Sequence, residues 1–446
     1  MGNRERTCRL VTLGCKVNQY ETQYVKETLE INGYREAADG ERADLCIVNT
    51  CTVTGEGDAK SRTAVRRLHQ RNPDARIVVM GCYATRDPDA VARLPGVVRV
   101  VADKARLADE LRDFGVETLP TGITRFDNHQ RAFVKVQDGC LLNCTYCIIP
   151  SIRPILRSRD PETIVREVEA LVAEGYHEIV LTGVHLGHYG IDLRKGKPKS
   201  EWRRLWRLLD RLDALPGKFR VRLSSLEAAE ARDDLIEAMR RSWRVVPHLH
   251  LCLQSGSDAI LRAMKRRYTS GGFLRRVERI KQALDTPAFT TDVIVGFPGE
   301  TDADFEATCR VVRKIGFAKV HIFTYSPRAG TPAALLGNTV SPQLMAERRE
   351  RLREIEQECT AAYQQRLLGR RLEVVVEGAD PQRAGHVMGT SCRSVPISFP
   401  GDVRSLLRQL VPVRATRMDA GSLMGEPEKA SRLSLAVLER ETASEL

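Results

Sequence analysis

Three apolar runs near the start of the chain end in the same way. "RLVTLGC", "DLCIVNTC" and "RIVVMGC" are near-continuous in Val, Ile and Leu, and each stops at a cysteine: Cys15, Cys51 and Cys82. A fourth run, "VVRVVAD", follows, and polar stretches with helical spacing separate all four. Near-continuous apolar strands alternating with helices specify a parallel sheet covered on both faces. All strands of such a sheet end on one edge, where ligands bind. Three thiols far apart in sequence are therefore expected to converge.

After the link "GITRFDNHQR" a second alternating region runs from Arg131 to Arg328. Its strand candidates are "AFVKVQ", "EIVLTG", "RVRLSS", "HLHLCLQ", "TTDVIVG" and "KVHIFTY", separated by helical patterns such as "PETIVREVEALVAEG". Six β/α units predict a full or partial parallel barrel with its chemistry at the strand C-termini. A charged amphipathic helix comes next, and "RRLEVVVEG" opens a run of short strands that reads as a small β module. The fold class is thus α/β: a parallel-sheet domain over 6–120, a partial (β/α)6 barrel over 126–340, a linker helix over 341–368 and a small β-barrel over 369–428. At 446 residues the length agrees with about three domains. The tail after Glu426 is polar and expected to be ordered only in part.

The N-terminus "MGNRERTCRLVTLGC" has no apolar segment of the secretory type and lacks the Ser or Thr of a myristoylation signal. No run approaches a membrane span, so a cytoplasmic protein without a membrane partner is expected. Disulfides are rare there, and 12 cysteines point to metal or redox chemistry for some of them. The net charge of +12 favours an anionic partner such as nucleic acid.

"GCLLNCTYC" places Cys140, Cys144 and Cys147 in a C-x3-C-x2-C array directly after a predicted strand. Thiolates this close can surround one metal centre. Structural zinc sites close with four ligands, whereas three cysteines leave a metal position open for chemistry. A zinc knuckle completed by a distant His is the alternative, and with it a zinc-dependent, non-catalytic RNA-binding protein.

This array, with Tyr146 inside it and a β/α barrel behind it, resembles the radical S-adenosylmethionine enzymes. The likeness extends to the methylthiotransferases through "QDGCLLNCTYCIIP", "VLTGVHLGHYGIDL", "RLSSLE", "HLHLCLQSGSD", "TDVIVGFPGET" and "YSPRAGTPAA". The resemblance implies two [4Fe–4S] clusters and S-adenosylmethionine as cofactors. Cys140, Cys144 and Cys147 would hold the radical-generating cluster, and Cys15, Cys51 and Cys82 a sulfur-carrying auxiliary cluster. It implies a C-terminal RNA-binding module of the TRAM type and contacts to S-adenosylmethionine from Tyr146, Thr182, Gly183, Ser225, Gln254 and Ser255. A glycine at 183 lets backbone approach a ligand closely. Gly296 and Gly299 are expected to shape a tight turn.

"TLGCKVNQYET" is similar to the branch that methylthiolates C2 of N6-threonylcarbamoyladenosine at position 37 of tRNA. The isopentenyladenosine branch more often opens "TFGCQMN" and the branch acting on a ribosomal-protein aspartate "SLGCPKN"; both remain alternatives. The partners implied are tRNA and a reductant protein of the flavodoxin or ferredoxin type. The chain departs from the family pattern at Pro154, where Gly is common, and after Glu227, where a proline is absent. Val246 and Cys252 stand where Cys and Pro are expected, and "GTSCRSVPISFPG" follows its pattern loosely.

Cys8, Cys46, Cys252, Cys309, Cys359 and Cys392 have no partner at ligand spacing and read as structural. His185, His188, His248 and His250 read as packing or substrate contacts. "KSRTAVRRLHQR" gathers Lys60, Arg62, Arg66, Arg67 and Arg71 as a possible phosphate-facing helix, and "MKRRYT" carries a weaker form of the same signal.

Overall fold

The computed structural model describes residues 6–194, 196, 198, 204–419 and 421–428. They form two compact units that divide between Cys359 and Thr360. The expectations for the extreme N-terminus and for the tail beyond 428 lie outside the described residues.

The first unit begins with a five-stranded parallel sheet of β1 (Arg6–Thr12), β2 (Tyr34–Glu36), β3 (Leu45–Thr50), β4 (Arg76–Gly81) and β5 (Val97–Val101). Its order is β2-β1-β3-β4-β5. The four apolar runs became β1, β3, β4 and β5. β2 escapes sequence reading because "YRE" has no apolar run. Every residue of the central β3 is buried, and its side chains alternate between two cores. Leu45 and Ile47 join Val25 and Leu29 of helix α1 (Lys16–Ile31). Cys46 and Val48 join Val65 and Leu68 of helix α2 (Gly55–Arg71). This is the two-sided burial that continuous apolar strands require. In this strand order the winding reverses between β1 and β3, which opens a crevice at their C-terminal ends.

The barrel follows as β6 (Ala132–Asp138), β7 (Arg157–Ser158), β8 (Glu178–Gly183), β9 (Arg220–Leu223), β10 (His248–His250), β11 (Ala288–Val295) and β12 (Lys319–Thr324). β6, β8 and β9 pair in parallel with β7 antiparallel on the edge, and β10, β11 and β12 form a second parallel sheet. Parallel bridges Val221↔Val245 and Leu226↔Leu251 connect the two sheets. Among the described residues no ladder joins β12 to β6, so the barrel is partial. The strand expected over "HLHLCLQ" is regular only to His250; Leu251 and Gln254 follow with isolated parallel bridges to Leu226 and Val293, and Gln254 adopts φ +63°.

Glu21 of α1 ties the sheet domain to the barrel. Its carboxylate accepts from Arg153 (3.0 and 3.1 Å), Lys135 of β6 (2.7 Å) and Lys104. Tyr20 donates to Glu167 at 2.9 Å from the same helix.

In the second unit β13 (Arg371–Ala379), β14 (His386–Ser391), β15 (Pro396–Pro400), β16 (Leu410–Asp419) and β17 (Ser422–Pro427) close a small barrel in the order β13-β14-β15-β17-β16. The helix Pro342–Gln365 spans the division, with Leu352, Ile355 and Cys359 packed into the first unit's core. No helix among the described residues is long and apolar enough to cross a membrane.

Candidate active site

A cavity of about 320 Å³ lies where the crevice of the sheet meets the mouth of the barrel, and both thiol triads line it. Cys15 is the N-cap of α1, Cys51 follows β3, and Cys82 begins helix α3 (Cys82–Arg86) after β4. β1 and β3 flank the point where the winding reverses, so two of these thiols stand on its two sides. Cys140, Cys144 and Cys147 come from the loop after β6. Gly14 sits between β1 and Cys15 at φ +98°, and a Cβ there would lie 2.9 Å from Cys51 Cβ.

Cys51, Cys140 and Cys147 are costly to ionise in the bare protein. Burial pushes Cys147 up to about 12, and the adjacent Cys144 and Cys140 add to it. Burial likewise raises Cys51, with Cys82 and Cys15 contributing, although the Val53 N–H opposes it. A cationic centre inside each triad would offset these costs. Hydrogen bonds to sulfur are already in place: the Leu142 N–H points at Cys140 Sγ (3.4 Å), and Arg266 donates to Cys144 Sγ (3.2 Å). Such donors stabilise thiolates on a metal centre.

Beside the second triad the cavity wall holds polar groups with no hydrogen-bond partner among the described residues. They are both oxygens of Glu227, both ring nitrogens of His185 and the Ser224 hydroxyl. His185 Nε2 and Arg266 each lie 3.5 Å from Glu227. Burial pushes the Glu227 carboxyl up, but the His185 ring, the Arg266 charge and the Arg267 backbone outweigh it and hold it below the usual range. Buried polar atoms normally find partners, so a ligand bearing amino, carboxylate or hydroxyl groups fits this wall.

Of the expected cofactor contacts, Tyr146, Thr182, Gly183, Ser225 and Gln254 line the cavity, and Ser255 does not. The left-handed Gln254 turns Ser255 away, where its fully buried hydroxyl meets Thr308 Oγ1 (3.3 Å) and accepts from Ser257 N (3.2 Å). A Cβ on Gly183 would lie 2.8 Å from Gln137 Oε1, so this glycine makes room for a protein side chain.

Sequence reasoning passed over three residues here. Arg266 belongs to "MKRRYT" but is turned inward onto Cys144 and Glu227. Glu227 gave no signal beyond the family motif. Cys252, read as structural, lines the cavity, with its Sγ 4.0 Å from Asp292 Oδ2. Its signal was available: residues 248, 250 and 252 alternate onto one strand face. Cys8, Cys46, Cys309, Cys359 and Cys392 are buried. His248 and His250 share Thr290 Oγ1, each at 3.0 Å.

Comparison with known proteins agrees with this geometry. The model of the radical SAM superfamily matches residues 134–312, and that described as uncharacterized protein family UPF0004 matches residues 7–103. The chain is 40% identical to the threonylcarbamoyladenosine tRNA methylthiotransferase MtaB of Chlamydia pneumoniae, over 94% of this chain and 98% of the relative. It is 37% identical to the protein of the same name from Bacillus subtilis, over 90% and 92%. The chain belongs to the tRNA methylthiotransferase family. A tRNA-2-methylthio-N(6)-dimethylallyladenosine synthase of Thermobifida fusca is 36% identical, over 84% of this methylthiotransferase and 78% of that relative. Among solved structures, a cobalamin-dependent S-adenosylmethionine radical enzyme, OxsB, superposes with a TM-score of 0.52 at 12% identity. It covers 79% of this methylthiotransferase and 56% of that chain, a likeness of fold.

Proposed function

We propose that this tRNA methylthiotransferase places a methylthio group on C2 of N6-threonylcarbamoyladenosine at position 37 of tRNA. The observation that carries the reading is the meeting of two cysteine triads, one from each half of the first unit, on a single cavity. An all-thiol donor set with N–H groups aimed at sulfur suits iron–sulfur clusters. Cys140, Cys144 and Cys147 would hold the radical-generating [4Fe–4S] cluster, and Cys15, Cys51 and Cys82 the auxiliary one. When bound, the clusters and S-adenosylmethionine supply one-electron chemistry and a sulfur atom, which suit a C2–H that is neither acidic nor electrophilic.

The chain's own residues then bind and orient. Glu227, His185 and Ser224, with Thr182, Gly183, Ser225 and Gln254, meet the polar groups of S-adenosylmethionine. Arg266 offsets thiolate charge at Cys144. The exposed Lys60, Arg66, Arg67 and Arg71 on α2 suit tRNA phosphates, and the second unit's barrel is the RNA-binding module. The electron donor is a flavodoxin- or ferredoxin-type protein. The free cysteines agree with a reducing cytoplasm.

Nucleoside mass analysis of tRNA from cells lacking the gene tests the substrate. The 2-methylthio derivative of threonylcarbamoyladenosine should disappear and the parent nucleoside accumulate. Unchanged tRNA beside an altered ribosomal protein would overturn the RNA reading. Gly14→Ala tests the auxiliary triad, because the added methyl must displace Cys51 or the strained loop at φ +98°. Anaerobically reconstituted G14A should fall from about eight iron per chain toward about four. Full iron content would remove Cys51 from the ligand set.

A further inference from the structure

Among the described residues the cavity lining holds one cation without a hydrogen-bond or ion-pair partner. Lys16 follows Cys15 as the first residue of α1, is exposed, and lines the cavity. Among the described residues it makes no hydrogen bond or ion pair. Its electrostatic neighbours are Arg131, Cys15, Asp292 and Arg222. Asp292 already faces His250, with Nε2 3.3 Å from Oδ2. Arg131 (3.5 Å), Arg220 (2.5 Å) and Arg222 (2.7 Å) all converge on the one carboxylate of Glu178. The barrel interior beside Lys16 therefore carries more positive than negative charge. Excess positive charge around a cavity mouth favours an incoming anion.

We infer that Lys16 binds the carboxylate at the end of the threonylcarbamoyl substituent, and so selects that nucleoside over one with an apolar N6 group. The inference rests on the substrate proposed above. An isopentenyl group offers a cation nothing, whereas a threonyl carboxylate accepts a charge-assisted hydrogen bond.

The test uses the reconstituted full chain, and as probes one tRNA carrying threonylcarbamoyladenosine-37 and the same tRNA with unmodified A37. Wild type should bind the modified tRNA more tightly. Lys16→Gln should lose about tenfold or more of that preference while its Kd for the unmodified tRNA stays unchanged. The loss should fall on KM more than on kcat. Lys16→Arg, which keeps the charge, should retain most of the preference. The electron paramagnetic resonance of both clusters should be unaltered in either variant. Equal weakening of both tRNAs, or a K16R that falls as far as K16Q, would overturn the inference. So would a changed auxiliary-cluster spectrum with the preference intact, since Lys16 would then serve Cys15. A wild-type enzyme that acts on isopentenyladenosine tRNA and shows no preference for the threonylcarbamoyl form fails the substrate reading itself.

Discussion

A chain with Cys15, Cys51 and Cys82 all replaced by alanine is expected to bind about four iron and four sulfide ions where the parent binds about eight of each. Methylthiolation should be abolished, while reductive cleavage of S-adenosylmethionine continues. The separation follows from where the thiols originate. Cys15, Cys51 and Cys82 stand on the edge of one sheet, and Cys140, Cys144 and Cys147 on a single loop of the barrel. Neither triad is therefore expected to supply a ligand to the other's cluster. Alanine also removes the Cys51 thiol, whose ionisation burial opposes, so the apo site should fold. Iron and sulfide analysis with resonance spectra decides the matter. Loss of both clusters, or of neither, would reject the division into two triads.

Glu21→Gln should be strongly destabilising to the first unit. The side chain is 8% exposed and is the shared acceptor of Arg153, Lys135 and Lys104. Removing its charge leaves the buried Arg153 and the half-buried Lys104 and Lys135 with Asp138 as the remaining anion of the network. Breaking a buried ionic network from one side costs about 3–5 kcal/mol. Burial alone would raise the Glu21 carboxyl, but Arg153, Lys104 and Lys135 outweigh it and hold it well below the usual range. Asp138 is held down to about 2 against the same burial by Lys135 and Arg153. A carboxyl depressed in the folded state stabilises it above the unfolded value, about 4, and that stability is lost as pH falls through the folded value. Wild type should therefore weaken progressively below about pH 4, and E21Q should show a shallower acid slope. Urea midpoints across pH measure both. A loss under about 1 kcal/mol at neutral pH would mean that water, not Glu21, compensates the cations.

The consequence reaches the site. α1 carries Glu21 about one and a half turns after its N-cap Cys15 and Lys16. The Glu21 cluster therefore sets where that thiol and that ammonium meet the barrel mouth. Pro154 follows the buried Arg153, which keeps its partners in Glu21 and Asp138 despite the departure from the family's glycine.

The signals legible in sequence were local ones. Strand periodicity, the cysteine after each of three strands, and the C-x3-C-x2-C spacing depend on neighbours within a few residues. They survive folding because parallel strands must end together on one edge. The small C-terminal barrel was legible for the same reason, through short runs and turn residues. Ser255 shows the limit: one left-handed residue, Gln254, reverses the facing that strict alternation predicts.

Tertiary structure alone decided which distant groups share a charge. Arg266 lies 122 positions from Cys144, and Arg153 lies 132 from Glu21. Periodicity says nothing about such pairs, because a long side chain's direction is set by what packs around it. Lys16 is legible as a family letter, but its lack of a partner is not. Only the folded barrel, with three arginines on Glu178 and Asp292 engaged by His250, leaves that ammonium at the cavity without a partner among the described residues.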